Sequence, residues 1–178
     1  CLYVSDERTN RLYMFRCLND VMEAEPAFTL DTLAEPANRR LRQIAGPIHV
    51  HPGGRCVYVA NRADHAIEHE GTKVFGGGEN NIAVYAIDAK SGEPTLAQHA
   101  DTHSFHVRTF ACDPSGRLLV AASIKAHAVL EGDNVIPVPA ALSVYRIKDD
   151  GQLSFVRKYD VATTGGQMQY WMGMVGLK

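Results

Sequence analysis

The 178-residue sequence lacks three features that would each point to a large class of proteins. No apolar run approaches the roughly 20 residues that a membrane-spanning helix needs. The formal net charge is -2 and acidic and basic residues are interleaved, which argues against a nucleic-acid groove or a basic membrane patch. No charged segment followed by an apolar one opens the chain, so no signal peptide is visible. We therefore expect no membrane and no nucleic acid among the partners.

Cysteine is scarce and widely scattered. Cys1, Cys17, Cys56 and Cys112 form no CxxC pair, the spacing typical of zinc and redox sites. Cys56 and Cys112 lie inside apolar, strand-like runs, where a free cysteine behaves as a small hydrophobic residue. Disulfides and a metal are the alternatives, but we favour structural thiols. Reduced thiols favour a cytoplasmic location.

The sequence contains an internal repeat. "HVHPGGRCVYVANRADHAI" from His49 matches "ACDPSGRLLVAASIKAHAV" from Ala111 in its turn, in the arginine after the turn and in the later His-Ala-aliphatic triplet. The same offset of 62 residues separates Arg55 from Arg117 and His65 from His127. Repeats at a fixed offset are typical of arrays of one supersecondary unit.

Each repeat has the pattern of four strands. "CVYVA", "IAVYAI", "LLVAAS" and "LSVYRI" are rich in valine, isoleucine and tyrosine and are bounded by glycine, proline and aspartate. Such units predict an all-β fold, a β-propeller of four-stranded antiparallel blades; a β-sandwich is the alternative. About three blades are expected in this single partial domain: 1–45 without its first strand, 46–106, 107–164, and a spare inner strand at 165–178.

The alternation of strand directions places the connections on two faces. The short turns join first to second and third to fourth strands, so they share one face. The long connections share the other face, and functional loops typically lie on such an elaborated side of a rigid scaffold. These connections are residues 31–46, 62–80, 101–107, 124–140 and 161–168.

Two residues on the elaborated face are candidates for catalysis. Arg108 begins a first strand, where its planar guanidinium could hold a carboxylate or phosphate. A structural pair with an inter-blade carboxylate is the alternative. Glu7 ends a second strand, where it could act as general base or proton donor; a solvated strand end paired with Arg8 or Arg11 is the alternative.

Arg62 and three histidines are candidates for substrate binding. Arg62 ends the next second strand, and His65, His103 and His106 follow on the same face, where histidine could assist proton transfer. Ordinary loop histidines are the alternative, and their spacing does not favour a metal. The cluster "RRLRQ" (residues 39–43) could attract an anionic substrate or form a solvated loop.

Several phrases resemble the seven-bladed propeller lactonase family, whose members include bacterial 6-phosphogluconolactonase and fungal carboxy-muconate cyclase. They are "LYVSDERTNRLYMFR", "GPIHVHPGGRCVYVANR", "IAVYAIDAKSGEPTLAQH" and "VRTFACDPSGRLLVAAS", in the order of the C-terminal half of that family. The resemblance implies that Glu7 matches a strand-end glutamate and Arg108 an arginine of the family's pocket. The family's "GPRH" phrase would lie upstream of Cys1, Asp6 and Val107 replace Asn and Pro, and the loops at 62–80 and 124–140 are longer than usual.

The resemblance implies a hydrolase that opens a sugar- or aromatic-derived lactone without a cofactor. Arg108 would hold an anionic group of the substrate and Glu7 would transfer protons. A muconate-type cycloisomerase and a non-catalytic ligand- or protein-binding propeller are the alternatives, since one fold hosts many functions. The expected partners are a small anionic lactone or diacid, and the remaining blades or a second copy that would close the ring.

Overall fold

The computed structural model describes residues 1–177, and its regular elements there are 17 β-strands and one short 3-10 helix, Pro36–Asn38. The strands are β1 (Leu2–Asp6), β2 (Arg11–Phe15), β3 (Cys17–Leu18), β4 (Val21–Met22), β5 (Phe28–Asp31), β6 (Gln43–Val50), β7 (Cys56–Ala63), β8 (Ala66–His69), β9 (Thr72–Phe75), β10 (Asn81–Ile87), β11 (Pro94–Asp101), β12 (Val107–Cys112), β13 (Leu118–Ser123), β14 (His127–Glu131), β15 (Asn134–Val138), β16 (Ala140–Ile147) and β17 (Leu153–Val161).

The longer strands form three antiparallel sheets, which we call blades 1 to 3. Their strand orders are β1-β2-β5, β6-β7-β10-β11 and β12-β13-β16-β17. Each four-stranded blade follows the chain order from one edge to the other, and blade 1 has three strands. The all-β partial propeller predicted from the repeat is therefore confirmed.

The blade limits differ slightly from the sequence division, because β6 begins at Gln43 rather than at residue 46. No strand is assigned within 165–177, where the sequence predicts a spare inner strand. That segment still lies beside blade 3, since the Gln169 N–H donates to the Ile124 carbonyl at 2.8 Å. The Ala45 N–H makes the matching bond to the Glu7 carbonyl at 3.2 Å. The tail thus occupies the place of a next inner strand without pairing as one.

Strand β7 is buried along its whole length because blades 1 and 3 cover its two faces. Side chains alternate across a strand, so Val57 and Val59 pack in one core with Leu12 of blade 1. Cys56 and Tyr58 pack in the other core, with blade 3. The four cysteines are free, and burial raises the pKa of the Cys56 thiol, so this thiol is a packing residue.

Tyrosine hydroxyls tie each blade to its neighbour in a repeated way. Tyr3 and Tyr58, at equivalent places in β1 and β7, donate to the carbonyls of Gly92 and Gly151 in the next blade at 2.5 and 2.9 Å. Tyr85 and Tyr145, at equivalent places in the third strands, donate to the carbonyls of Asp31 and Asp101 in the preceding blade at 2.5 and 2.7 Å. Buried polar groups need partners, so these bonds fix the spacing of consecutive blades.

The upper face, where β1, β7 and β13 end and β6 and β12 begin, carries most of the long connections. Two of them fold into hairpins, β8–β9 in blade 2 and β14–β15 in blade 3. The hairpin β3–β4 is an exception, because it joins the last two strands of blade 1 on the opposite face. The sequence division of short and long connections thus holds for blades 2 and 3 but not for blade 1.

Candidate functional site

Consecutive blades bring their strand ends together around one cavity on the upper face. This central cavity has a volume of about 420 Å³, and its lining includes Glu7, Arg42, Arg62, Asp64, His106 and Arg108. Glu7 follows β1, Arg62 lies near the end of β7, and Arg108 is the second residue of β12. Four of the six residues predicted from the sequence, namely Glu7, Arg62, His106 and Arg108, therefore line the same cavity.

Arg62 lies at the centre of this arrangement. Its side chain is 7% exposed, and Nη2 donates to Oε1 of Glu7, which is 60% exposed, at 3.1 Å. Nη1 lies 3.1 Å from Nε2 of His106. Because a guanidinium only donates hydrogen bonds, Nε2 of His106 accepts and the neutral ring carries its proton on Nδ1. Arg62 therefore holds a carboxylate and an imidazole in fixed positions.

A glycine makes room for the Arg62 side chain. A Cβ at Gly46 would lie 2.9 Å from Nε of Arg62 and 3.1 Å from the Ala60 carbonyl oxygen, both too close for an unshifted contact. Gly46 lies at an irregularity in the pairing of β6 with β7, between Ala45 and Ile48. The residue 62 positions later in the repeat is Arg108. At equivalent positions, blade 2 therefore has a glycine that leaves space for Arg62, and blade 3 has the cation of Arg108.

His106 is buried and held by its backbone as well as by Arg62. Its φ is +54°, its N–H donates to Oδ1 of Asn80 at 2.7 Å, and its carbonyl accepts from the Ile124 N–H at 3.1 Å. Burial, together with the charge of Arg62, lowers the pKa of His106 to about 4. The ring is therefore neutral near pH 7.

Asp64 connects His106 to the loop before β6. Its Oδ2 lies 3.6 Å from Nδ1 of His106, the atom that carries the proton. Arg42 grips the same carboxylate with two bonds, from Nε at 2.6 Å and from Nη2 at 2.9 Å. The hydrogen bond from Arg42 lowers the pKa of Asp64, so Asp64 is ionised at neutral pH. Arg42, Asp64, His106, Arg62 and Glu7 thus form one continuous chain of contacts.

The buried histidine predicts how stability changes with pH. A histidine whose pKa is lowered on folding contributes stability above its unfolded pKa of 6.5, and this is lost as the pH falls toward the folded value of about 4. We therefore expect the free energy of unfolding to fall across that window in the wild type. Asparagine tolerates the positive φ at this position. In His106→Asn, the free energy of unfolding should change less steeply with pH, by up to about 1.4 kcal/mol per pH unit, which corresponds to the uptake of one proton. Urea unfolding between pH 4 and 7 measures both slopes; equal slopes would contradict a buried neutral His106.

Arg108 presents a cation to the central cavity. It lies at an irregularity between Val107 and Thr109 in the pairing of β12 with β13, and such bulges redirect side chains. Its guanidinium carbon lies 5.1 Å from the Trp171 ring centroid. Among residues 1–177, no carboxylate lies within ion-pair distance of it. A structural pair with an inter-blade carboxylate, the alternative left open by the sequence, is therefore not found in this part of the chain.

The other two predicted binding residues lie outside the central cavity. His103 turns outward with a φ of +52°, stacks on Phe155 with centroids 3.8 Å apart and faces Asp101 at 3.9 Å. His103 therefore lies outside the lining of the central cavity, and its role in substrate binding stays a prediction. His65 lines a neighbouring space between the two upper hairpins, which we call the hairpin cleft.

Sequence reasoning missed some members of the site and gave Arg42 a different role. Asp64 was not singled out, although "NRAD" places it two residues after Arg62 at the same strand end. Arg42 was predicted only as part of a basic cluster, whereas the structure pairs it with Asp64. Lys125 and Met168 also line the central cavity.

The charges around the central cavity are mainly positive. Three arginines and Lys125 face two carboxylates, Glu7 and Asp64. The positive charge of Arg108 adds to burial in lowering the pKa of Arg62, as expected where cations crowd together. Such a site attracts anions. Within 1–177 no group of three or more His, Cys, Asp or Glu side chains is placed to hold a metal ion, and no helix is long and apolar enough to cross a membrane.

The family described as "Lactonase, 7-bladed beta-propeller" has a model that matches residues 1–130. The chain belongs to this family. The resemblance drawn from the sequence phrases is thereby confirmed. A 6-phosphogluconolactonase of Formosa agariphila is 33% identical to this lactonase-family chain over 76 residues, which are 43% of the chain and 18% of the relative.

Solved structures share the fold of this lactonase-family chain. The periplasmic gluconolactonase PpgL of Pseudomonas aeruginosa superposes with a TM-score of 0.64 at 22% identity, over 93% of this chain and 37% of its own. A Lactobacillus plantarum protein gives 0.62 at 21% identity, over 88% and 37%. The chain thus spans about a fifth of the curated relative and somewhat over a third of these structures.

Proposed function

We propose that this protein is a lactone hydrolase that acts, without a cofactor, on a sugar- or aromatic-derived lactone carrying an anionic group. The observation that carries the proposal is the meeting of Glu7 and Arg108 at one positively charged cavity. Membership of the lactonase family and the 6-phosphogluconolactonase relative support this reaction class. The relative's name supports a phosphorylated sugar lactone as the first substrate to test.

In the proposed reaction, water attacks the lactone carbonyl while a carboxylate oxygen of Glu7 takes its proton. One oxygen of Glu7 is bound by Arg62 at 3.1 Å, which leaves the second oxygen for water. The C–O bond of the ring then breaks, and the ring oxygen leaves as a hydroxyl after taking the proton back from Glu7, which restores the carboxylate. Arg108 binds either the substrate's anionic group or the oxyanion that forms at the carbonyl. The product is an open-chain hydroxy acid.

Arg62 acts in this proposal as a positioning residue rather than as a substrate ligand. Both of its terminal nitrogens are engaged, with Glu7 and with His106, and its side chain is almost fully buried. Nε has no hydrogen-bond partner in the described chain, but it is buried beside Gly46, so little of the guanidinium is open to a substrate group. Its contribution is to fix the direction of the Glu7 carboxylate, and His106 in turn supports Arg62.

Arg108→Ala tests the proposed anion holder. We expect the variant to raise KM for a phosphorylated sugar lactone about tenfold or more, since a charge-assisted bond contributes about 1.5–3 kcal/mol. KM for the same lactone without phosphate should change little if Arg108 binds the anionic group. Steady-state kinetics with both substrates measure the difference, and Arg146→Ala, on an exposed part of β16, is the matched control.

Two outcomes would count against Arg108 as the residue that binds the substrate's anionic group. If Arg108→Ala keeps the wild-type preference for the phosphorylated lactone, the anionic group is bound elsewhere. If kcat rather than KM falls for both lactones, Arg108 acts on the oxyanion instead. Binding of lactones with no turnover by the wild type would favour the non-catalytic propeller of the sequence analysis.

We further propose that blades 1 to 3 complete a ring with additional blades or with a second copy. β1 is an edge strand of a three-stranded sheet, and exposed strand edges invite pairing. If a second copy completes the ring, the expected result of sedimentation is an assembly larger than one 19.5 kDa chain. A monodisperse species at the mass of one chain would contradict ring completion by a second copy.

A location in the cytoplasm stays a prediction. It rests on the four free cysteines, of which two are exposed, because exposed thiols persist in reducing compartments. The P. aeruginosa relative described as periplasmic shows that a related fold occurs elsewhere.

A further inference from the structure

The hairpin cleft lies between two hairpins that rise from the upper face. β9 of one hairpin packs against β14 of the other, and the space beside this contact has a volume of about 210 Å³. Asp64 and Lys125 line both the cleft and the central cavity. The two spaces are therefore neighbours, and one ligand could extend from the first into the second.

The internal repeat places two equivalent histidines in this cleft. His65 and His127 are 62 positions apart and begin the same His-Ala-aliphatic triplet, and both line the cleft. His127 belongs to an aromatic cluster with Phe75 and Phe105, whose centroids lie 6.5 and 5.9 Å from its ring. The two phenyl rings are 4.6 Å apart, so one wall of the cleft is firmly packed.

The β8–β9 hairpin also packs tightly around His65. The Gly76 N–H donates to the His65 carbonyl at 2.7 Å. A Cβ at Gly76 would lie 2.8 Å from Cδ2 of the His65 ring, so only glycine leaves space for the ring. This local fit positions His65 opposite the blade 3 hairpin.

The polar groups of the cleft are suited to an anion. Lys73 and Lys125 line it, and within 1–177 neither has a carboxylate at ion-pair distance. Asp64, the carboxylate in the lining, already has both oxygens bonded to Arg42. Nε2 of His127 is buried and has no hydrogen-bond partner in the described chain. Two free cations and an unsatisfied ring nitrogen next to a neutralised carboxylate favour a carboxylate or phosphate ligand.

We propose that the hairpin cleft is a second anion-binding subsite, which takes the carboxylate or phosphate at the far end of a ligand held by Arg108 at its near end. The ligand is then an elongated molecule with two anionic groups. Its identity as substrate or product rests on the proposed function, but the binding of an anion in the cleft does not. Lys73 and Lys125 supply the charge, and the Phe75–Phe105–His127 cluster supplies the rigid wall.

Inorganic phosphate is the first probe, because its binding requires no catalysis. We expect phosphate to shift the side-chain NMR signals of His127 and His65 in a saturable way. Lys73→Met should weaken that binding about tenfold, and Lys73 is exposed, so the variant should fold. Lys90→Met, in an exposed turn on the opposite face, is the matched control and should leave the affinity unchanged. Unshifted histidine signals, or equal affinities for the two lysine variants, would overturn the subsite.

A series of α,ω-dicarboxylates then tests the connection to the central cavity. Beyond a threshold length, affinity should rise at least tenfold, because the second carboxylate binds at a high effective concentration. Lys73→Met and Arg108→Ala should each remove this rise, whereas Arg108→Ala should leave the phosphate shift at His127 intact. A rise lost in Arg108→Ala alone would refute the cleft as the far end. If the wild-type protein turns over no lactone but phosphate still shifts the His127 signals, the proposed function is refuted and the subsite stands.

Discussion

Glu7→Gln is expected to lower kcat for lactone opening by about 10²–10⁴-fold, the usual contribution of a general base, with KM within a few-fold of the wild type. Glutamine keeps the size of the side chain, and its carbonyl oxygen can still accept the bond that Nη2 of Arg62 donates at 3.1 Å. Glu7→Gln therefore removes the proton acceptor and keeps the position of the side chain beside Arg62. Steady-state kinetics at neutral pH with a phosphorylated sugar lactone measure both constants.

The matched control for this prediction is Glu93→Gln. Glu93 is an exposed residue of the turn between β10 and β11, on the face opposite the central cavity. The kcat of the Glu93→Gln enzyme should therefore equal that of the wild type. A Glu7→Gln enzyme with wild-type kcat would exclude Glu7 as the base. A large rise in KM with unchanged kcat would assign Glu7 to binding instead.

Arg62→Met is expected to lower kcat about a hundredfold, because a base displaced by about 1 Å can cost that factor. Methionine fills a similar volume, and Glu7 remains largely exposed to water, so no buried charge is left without a partner. The second expected effect is a rise in the pKa of His106 from about 4 toward 6.5, since the charge of Arg62 is, after burial, the main cause of the lowered value. The loss of stability between pH 6.5 and 4 should become smaller.

An NMR titration of His106 separates this role from a purely structural one. Loss of packing alone would lower kcat without a defined change in the His106 midpoint. Arg55→Met, at the exposed turn before β7, is the control and should leave both the midpoint and kcat unchanged. An unmoved His106 midpoint in Arg62→Met would contradict the contact between Nη1 of Arg62 and Nε2 of His106.

The fold could be predicted because its signals are local and repeated. The turn residues and the strand residues of blades 2 and 3 recur at one offset, and each repeat is a complete hairpin pair. The tail at 165–177 could not be predicted in the same way. Its sequence resembles an inner strand, but a strand forms only where a partner strand pairs with it. Within 1–177, one backbone N–H of the tail, that of Gln169, donates a hydrogen bond to blade 3.

The site was predictable where it depends on strand direction and was not where it depends on side-chain packing. Glu7, Arg62 and Arg108 lie at strand ends, and antiparallel alternation brings such ends to one face. The outward turn at His103 depends on a positive φ, and no glycine or asparagine at that position indicates it in the sequence. The neutral His106 depends on an arginine that is 44 positions away in sequence, and only the packed structure brings the two together.

Lactone turnover in ¹⁸O-labelled water tests the central claim most directly, because the two candidate reactions differ in the fate of water. Hydrolysis adds one water oxygen to the product carboxylate, whereas a cycloisomerase opens its lactone by elimination and adds none. The account predicts one ¹⁸O atom in each molecule of hydroxy acid formed by the wild type, and almost no product from Glu7→Gln. An open-chain product without label, or labelled product formed equally fast by Glu7→Gln, would contradict it.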